Sequence, residues 1–341
     1  MSMTVSSHSS SVESRLIFVL SAPRSGSTLL MRILNATDQI SARSEPHLIP
    51  PLAHLGFWDC VERAPYDQLQ AQDAIRAFVS SRDSGEELYY QACRAYTNTL
   101  YDAMLSEGKT QYFLDKTPAN ALVLPFLQRL YPNAYYIVLT RHPAAIFASY
   151  VESFFDGDAR AASAFNPILS RYIPAISDFI ENPPKHMIHV SYEQLVQDSR
   201  QTLERVSSFL EIPMQEEALN YHRVHVEKGL GDPIGIDKNS RPVQDSLHRW
   251  VSFFHQQPHA QDILDDQLIG VSDKQLSHFG TSFATLWDAL GEGKHKAKKR
   301  QANRFMLERK LLIALRRNIH QRPHGAWVQA VRRFCDVLLR G

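Results

Sequence analysis

With 341 residues and a hydrophobic content of 44%, the chain is long enough to bury a sizeable core, which excludes a disordered or fibrous protein. No run of about 18 uncharged apolar residues occurs, and 1–14 is Ser-rich without the basic-then-apolar order of a secretory leader, so neither a membrane span nor secretion is indicated. The net charge of +1 conceals an asymmetry: 291–341 hold 14 Lys and Arg against 3 Asp and Glu, a balance of +11, which leaves 23 against 33, or −10, for the rest.

Cys60, Cys93 and Cys335 are few, odd in number and scattered, which suits a reducing compartment and matches no zinc spacing. A cytoplasmic location is therefore expected. Three regions follow from composition: a disordered tail at 1–14, a main domain at 15–290 and a basic helical extension at 291–341.

The first predicted element is a strand over Leu16 to Leu20. It runs into Ala22-Pro23-Arg24-Ser25-Gly26-Ser27-Thr28 and then into a helical pattern of Leu29, Leu30, Ile33 and Leu34. A strand, a turn and a helix in that order make an anion site. Gly26 permits close approach or positive φ, successive N–H groups turn inward, and the helix beginning near Ser27 adds its unsatisfied N–H groups and positive dipole end. Ser25, Ser27 and Thr28 add hydroxyl donors, and Arg24 a planar fork suited to phosphate or sulfate oxygens. Where a nucleotide triphosphatase reads Gly-Lys-Ser/Thr, this chain has Gly26-Ser27-Thr28, with its cation before the glycine.

Next comes ISARSEPHLIPP, which brings Glu45 and His47 to the place where the chain returns to the sheet's carboxyl edge. If the segment is extended, alternation turns both to one side. The stretch from Pro50 to Asp67 lacks clean periodicity; a lid, an acceptor-site wall or a surface excursion fits it. A helix follows, with Leu88, Ala92, Ala95/Tyr96, Thr99/Leu100 and Ala103/Met104 as its core stripe. Strands are expected in QYFLDKTP (Gln111 to Pro118), AYYIVLTRHP (Ala134 to Pro143) and HMIHVSYEQL (His186 to Leu195). Phe155 to Pro174, like the earlier aromatic stretch, shows no periodicity. Leu203, Val206, Phe209 and Leu210 mark one more helix. Strand-turn-helix units in series predict an α/β fold of P-loop type, a central parallel sheet between two helical layers. Polar residues at strand ends are then where ligands bind.

Two histidine pairs, His186/His189 and His222/His225, have no acidic or Cys partners beside them, and the first pair lies on a strand where the two face opposite sides, so no metal site is expected. Asp115 is the one candidate acid at the end of a second apolar strand. The basic end carries apolar stripes at Phe305, Leu307, Leu311/Leu312 and Leu315 and again from Trp327 to Leu339. Its helices either pack on the main domain or a sister chain, or bring 294–340 to an anionic membrane surface or an acidic partner. No nucleic-acid recognition motif accompanies the charge.

APRSGSTLL and IVLTRHPAAIFASY together resemble the sulfotransferases that use 3′-phosphoadenosine 5′-phosphosulfate (PAPS), with the Arg variant of the first motif seen in the tyrosylprotein and bacterial branches. The resemblance covers about 15–255. It implies that 24–29, Leu29 included, hold the 5′-phosphosulfate and that Arg141 and Ser149 clamp the 3′-phosphate. Pro143 can open a helix that carries Ser149 near the strand end. VSYEQLVQD resembles the family segment whose tyrosine touches adenine, which gives Tyr192. Arg241, before Pro242-Val243, resembles a basic residue of the loop that closes over the nucleotide. The resemblance further implies Glu45 as general base, with His47 as the alternative. Lys116 becomes the cation against the sulfuryl oxygens, oriented by Asp115, and Arg24 shares the leaving-group role. The acceptor is a hydroxyl on a small molecule, lipid or glycan. A sulfuryl group carries less charge in transfer than a phosphoryl group, so such a cradle works without a divalent ion. The rival readings are a small-molecule kinase or nucleotide phosphotransferase, and a non-catalytic nucleotide-binding or membrane-associated scaffold. Oligomeric state has no signature in the sequence.

Overall fold

The four expected strands form, joined by a fifth from the polar stretch ISARS, and all five run parallel: β1 (Leu16–Ser21), β2 (Ile40–Ser44), β3 (Tyr112–Lys116), β4 (Tyr135–Thr140) and β5 (Met187–Ser191). They lie in the order β2-β3-β1-β4-β5. The computed structural model describes residues 12–58, 66–221, 242 and 247–293. These divide between two compact units, one drawn from Met1–Leu52 and Glu87–Lys296, the other from Ala53–Glu86.

The helices lying wholly or mainly in the first unit are α1 (Ser27–Asn35), α2 (Ile49–Ala53), α4 (Gly85–Gly108), α5 (Leu124–Leu130), α6 (Pro143–Phe154), α7 (Ala159–Phe165), α8 (Ile168–Glu181), α9 (Tyr192–Gln197), α10 (Ser199–Phe209), α11 (Arg249–Gln256), α12 (His259–Gln267) and α13 (Asp273–Ser277). The second unit holds α3 (Tyr66–Ser80), where the Arg76 Nε–H donates to the Gly56 carbonyl at 2.7 Å.

β1 is buried along its whole length, as a central strand covered on both faces must be, and its continuous apolar run reflects that. Ile17 and Val19 face one layer, together with Leu114 of β3 and Leu139 of β4. There they meet Leu30 and Ile33 of α1 and Leu203 and Val206 of α10. Phe18 faces the other layer, which is built of rings: its centroid lies 6.2 Å from Tyr101, 5.7 Å from Tyr131 and 5.7 Å from Tyr136. The architecture is the expected α/β sandwich of P-loop type, a parallel sheet between helices.

Strand order decides where a ligand sits. β1 hands the chain through α1 to β2 on one side of the sheet, while β4 sends it towards β5 on the other. The two strands are direct neighbours, Ser21 pairing with Leu139. Their carboxyl ends therefore flank the crevice at a topological switch point.

Three expectations change. Val12 is buried and the Glu13 carboxylate accepts the Asn133 N–H at 2.7 Å, so order begins before Ser14; residues 1–11 lie outside the described part. The buried face of α4 is Tyr90, Cys93, Thr97, Tyr101 and Leu105, while Leu88 and Tyr96 are exposed. The stretch read as aperiodic, Phe155 to Pro174, contains α7 and the first half of the amphipathic α8, which buries Ile168, Leu169, Tyr172, Ile173 and Ile176. No described helix is long and apolar enough to cross a membrane. The basic extension beyond 293 and most of the loop containing Arg241 lie outside the described residues.

Candidate functional site

The loop after β1 needs two left-handed residues, Arg24 at φ 67° and Gly26 at φ 89°. A Cβ built on Gly26 would lie 2.2 Å from Tyr192 Cδ2, so glycine is required both by conformation and by the ring laid against it. Gly26 precedes α1 and no side chain caps that helix. The first-turn N–H groups, of which Ser27, Thr28 and Leu29 carry three, are thus the kind that an anion satisfies. The Ser25 hydroxyl is fully buried in this loop and has no hydrogen-bond partner among the described residues. A buried donor left over inside an amide-lined turn fits an oxyanion ligand.

Arg141, just past β4, crosses to the same loop: its Nη1–H donates to the Arg24 carbonyl at 2.9 Å. The Arg24 Nε–H in turn donates to the Ser149 hydroxyl at 3.1 Å. Pro143 occupies the first turn of α6, as anticipated, and that helix carries Ser149 to the strand ends. The Arg141 guanidinium lies 4.2 Å from the centroid of the Tyr192 ring. Burial works against the charge of Arg141 most; Tyr192 and Glu193 favour that charge, whereas Arg24 and Arg249 repel it. Positive charge therefore accumulates at the crevice, which favours an anionic ligand. Arg249 did not stand out in the sequence; it opens α11, whose next residue, Trp250, stacks on His142 with ring centroids 4.8 Å apart.

The second cluster forms at the tips of β2 and β3, where Ser44 pairs with Lys116. Lys116 is 1% exposed, and its Nζ donates to Glu45 Oε1 at 2.5 Å. His47 Nε2 lies 3.3 Å from the other carboxylate oxygen, Oε2. Glu45 and His47 do meet, but not by strand alternation: their φ angles are 48° and 51°, so two left-handed residues around Pro46 fold the turn back on itself. Nor does Asp115 orient Lys116. Alternation puts Asp115 on the ring-lined face, where it accepts from the Tyr101 hydroxyl and the Thr117 hydroxyl, both at 2.7 Å, and from Asn120 Nδ2 at 3.4 Å. Burial pushes its carboxyl up and these hydrogen bonds pull it back down. Thr117 sat unremarked in LDKTP, yet its hydroxyl also accepts the His47 backbone N–H at 3.4 Å.

Arg24, Ser25, Gly26, Ser27, Thr28, Leu29, Arg141, Ser149 and Tyr192 thus share one crevice, and Glu45, His47 and Lys116 share a second cluster at the same sheet edge. Arg241 lies outside the described residues, as do His222 and His225. His189 Nε2 is 2.8 Å from the Thr140 hydroxyl, while the His186 ring packs on Tyr135. Among the described residues no group of three or more His, Cys, Asp or Glu is arranged to hold a metal ion.

A family model described as the sulfotransferase family matches residues 16–216. The chain is 28% identical over 226 residues to a putative protein-tyrosine sulfotransferase of Caenorhabditis briggsae, an alignment taking in 64% of this chain and 73% of that protein. It is 34% identical over 134 residues to the nodulation protein NoeE of Sinorhizobium fredii, covering 39% of this chain and 30% of that one. Among solved structures, the sulfotransferase domain from the curacin biosynthetic pathway shares the fold at 21% identity and a TM-score of 0.51, covering 73% of this chain and 95% of that domain.

Proposed function

The chain belongs to the sulfotransferase family, and from that premise we propose that it transfers the sulfuryl group of PAPS to an acceptor hydroxyl, with Glu45 as general base. When bound, this donor supplies the sulfuryl group and departs as adenosine 3′,5′-bisphosphate. The observation that carries the reading is the convergence of two strand tips: Arg141 bonds the Arg24 carbonyl while Arg24 bonds Ser149, around a loop with an unsatisfied buried serine hydroxyl. That arrangement suits a ligand anionic at both ends. The N–H groups and hydroxyls of 25–29 take the phosphosulfate, Arg141 and Ser149 take the 3′-phosphate, and Tyr192 lies against the base.

Glu45 and Lys116 then have complementary tasks. In this structure the ammonium of Lys116 is held by the carboxylate. In the reaction Lys116 turns to the sulfuryl oxygens, where charge develops, and Arg24 steadies the leaving oxygen. Glu45 Oε1, released, accepts the proton from the acceptor hydroxyl as the new O–S bond forms and the bond to the leaving oxygen breaks. His47 holds Oε2 and keeps the carboxylate aimed; it is the alternative base. The acceptor is a hydroxyl on a small molecule, lipid or glycan; protein tyrosine, named for the nematode relative, is a further candidate.

Calorimetric titration with adenosine 3′,5′-bisphosphate and with ATP, on wild type and Arg141→Ala, tests the donor. The bisphosphate is expected to bind more tightly than ATP, and Arg141→Ala to weaken it. A preference for ATP would point to phosphoryl transfer and end the proposal.

A further inference from the structure

Resting on the reading above, we propose that Asp115 and Thr117 are positioning residues for the transfer. A tether runs from the buried Asp115 carboxylate through the Thr117 hydroxyl to the His47 backbone N–H, and it holds the Glu45–Pro46–His47 turn against Lys116.

The argument begins with an oddity of placement. Asp115 is 1% exposed within a layer of Tyr and Phe rings, where a carboxylate is costly. It touches neither Lys116, its sequence neighbour, nor the anion loop. Its Oδ2 takes the Tyr101 hydroxyl and its Oδ1 takes Thr117, with Asn120 at longer range. These bonds lead back to the site through a single atom, Thr117 Oγ1.

The direction of each bond is fixed by chemistry. A backbone N–H only donates, so at His47 the Thr117 hydroxyl must accept. Its one proton is then free for another acceptor, and Asp115 Oδ1 at 2.7 Å is that acceptor. Replacing either end would leave the hydroxyl oriented by nothing else described.

The turn has need of such a hold. Glu45 and His47 are non-glycine residues in left-handed conformations, which persist only where the surroundings enforce them. Pro46 between them has no N–H, so the His47 amide is the first donor past Glu45 by which the backbone can be anchored. The base would thus be aimed from beneath, by a group that never meets the substrate.

Thr117→Val and Thr117→Ser separate this role from packing, because valine keeps the shape and serine the hydroxyl. The measurements are steady-state transfer from PAPS to p-nitrophenol as probe acceptor, bisphosphate affinity by calorimetry, and hydrogen–deuterium exchange of the peptide carrying His47. Thr117→Val is expected to lower kcat about a hundredfold, the effect of misplacing a reacting group by about 1 Å, with bisphosphate affinity unchanged and faster exchange at His47. Thr117→Ser is expected to restore both kcat and protection. Unchanged kcat and exchange in the valine variant, or a serine variant no better than valine, would overturn the tether. A wild type that neither binds the bisphosphate nor transfers would instead overturn the sulfotransferase reading, while the exchange comparison still decides the tether.

Discussion

Lys116 and Glu45 set the energetics of the site at the level of single side chains. An ammonium that is 1% exposed is tolerated because a carboxylate meets it at 2.5 Å. Removing one partner leaves the other uncompensated, while removing both does not. Glu45→Gln is therefore expected to lower stability by up to ~3 kcal/mol, the lower end for a broken buried pair because Glu45 keeps some solvent access. The double variant Glu45→Gln/Lys116→Met is expected to recover much of that loss in urea denaturation. Transfer behaves differently: Lys116→Met alone is expected to lower kcat about 10²- to 10³-fold, as for loss of one preorganised donor, and the double variant stays inactive. A double variant no more stable than Glu45→Gln would mean that the pair is not coupled in the fold. Lys116 was legible in the sequence as a polar residue ending an apolar strand, and Glu45 and His47 as polar residues where the chain returns to the sheet's carboxyl edge. Their pairing was not, because it depends on the β2–β3 register and on two backbone angles that no residue pattern encodes.

Among the elements, the strands were the most readable, since buried parallel strands are written as unbroken apolar runs; LIFVLS and YYIVLT both became central strands. Helix faces were harder. In α4 the core is made by Tyr90, Thr97 and Tyr101, whose hydroxyls count as polar in a pattern; Tyr101 and Thr97 satisfy them internally, on Asp115 and on the Cys93 carbonyl. In α8 an internal proline, Pro174, disguised a helix that continues through it. The junction of β1 and α1 was legible because only glycine suits its demand. Gly26→Ala puts a Cβ 2.2 Å from Tyr192 Cδ2 at a φ of 89°, a combination expected to cost at least about 1–3 kcal/mol from backbone strain alone. Tyr192 must move, so the variant is expected both to melt earlier and to lose bisphosphate affinity. An alanine variant that binds like wild type would show that Tyr192 does not contact the donor.

Within the first unit a helix that comes late in the chain, α11, packs on α6, and His142, which precedes α6, is one of the points where they meet. Its ring stacks on Trp250 of α11, its backbone N–H goes to Glu193 at 3.1 Å, and its Nδ1 is buried without a partner among the described residues. Burial, then the neighbouring Arg141 charge, lowers its pKa from 6.5 to about 4. The imidazole is thus neutral in the fold at pH values where the unfolded chain protonates it. Between pH 6.5 and about 4 the unfolded state binds the extra proton, so stability falls as pH falls through that window and levels off below it. The full effect is on the order of 3 kcal/mol. His189, lowered by burial as well, adds a slope of the same sign, and Glu181, held down by hydrogen bonds from Lys274 and His278, adds loss at lower pH. His142→Phe keeps a ring on Trp250 and removes the ionisation. Urea unfolding at pH 7 and pH 5 is therefore expected to show a smaller acid loss in the variant than in wild type. Equal losses would place the acid sensitivity elsewhere and leave the His142–Trp250 stack as packing alone.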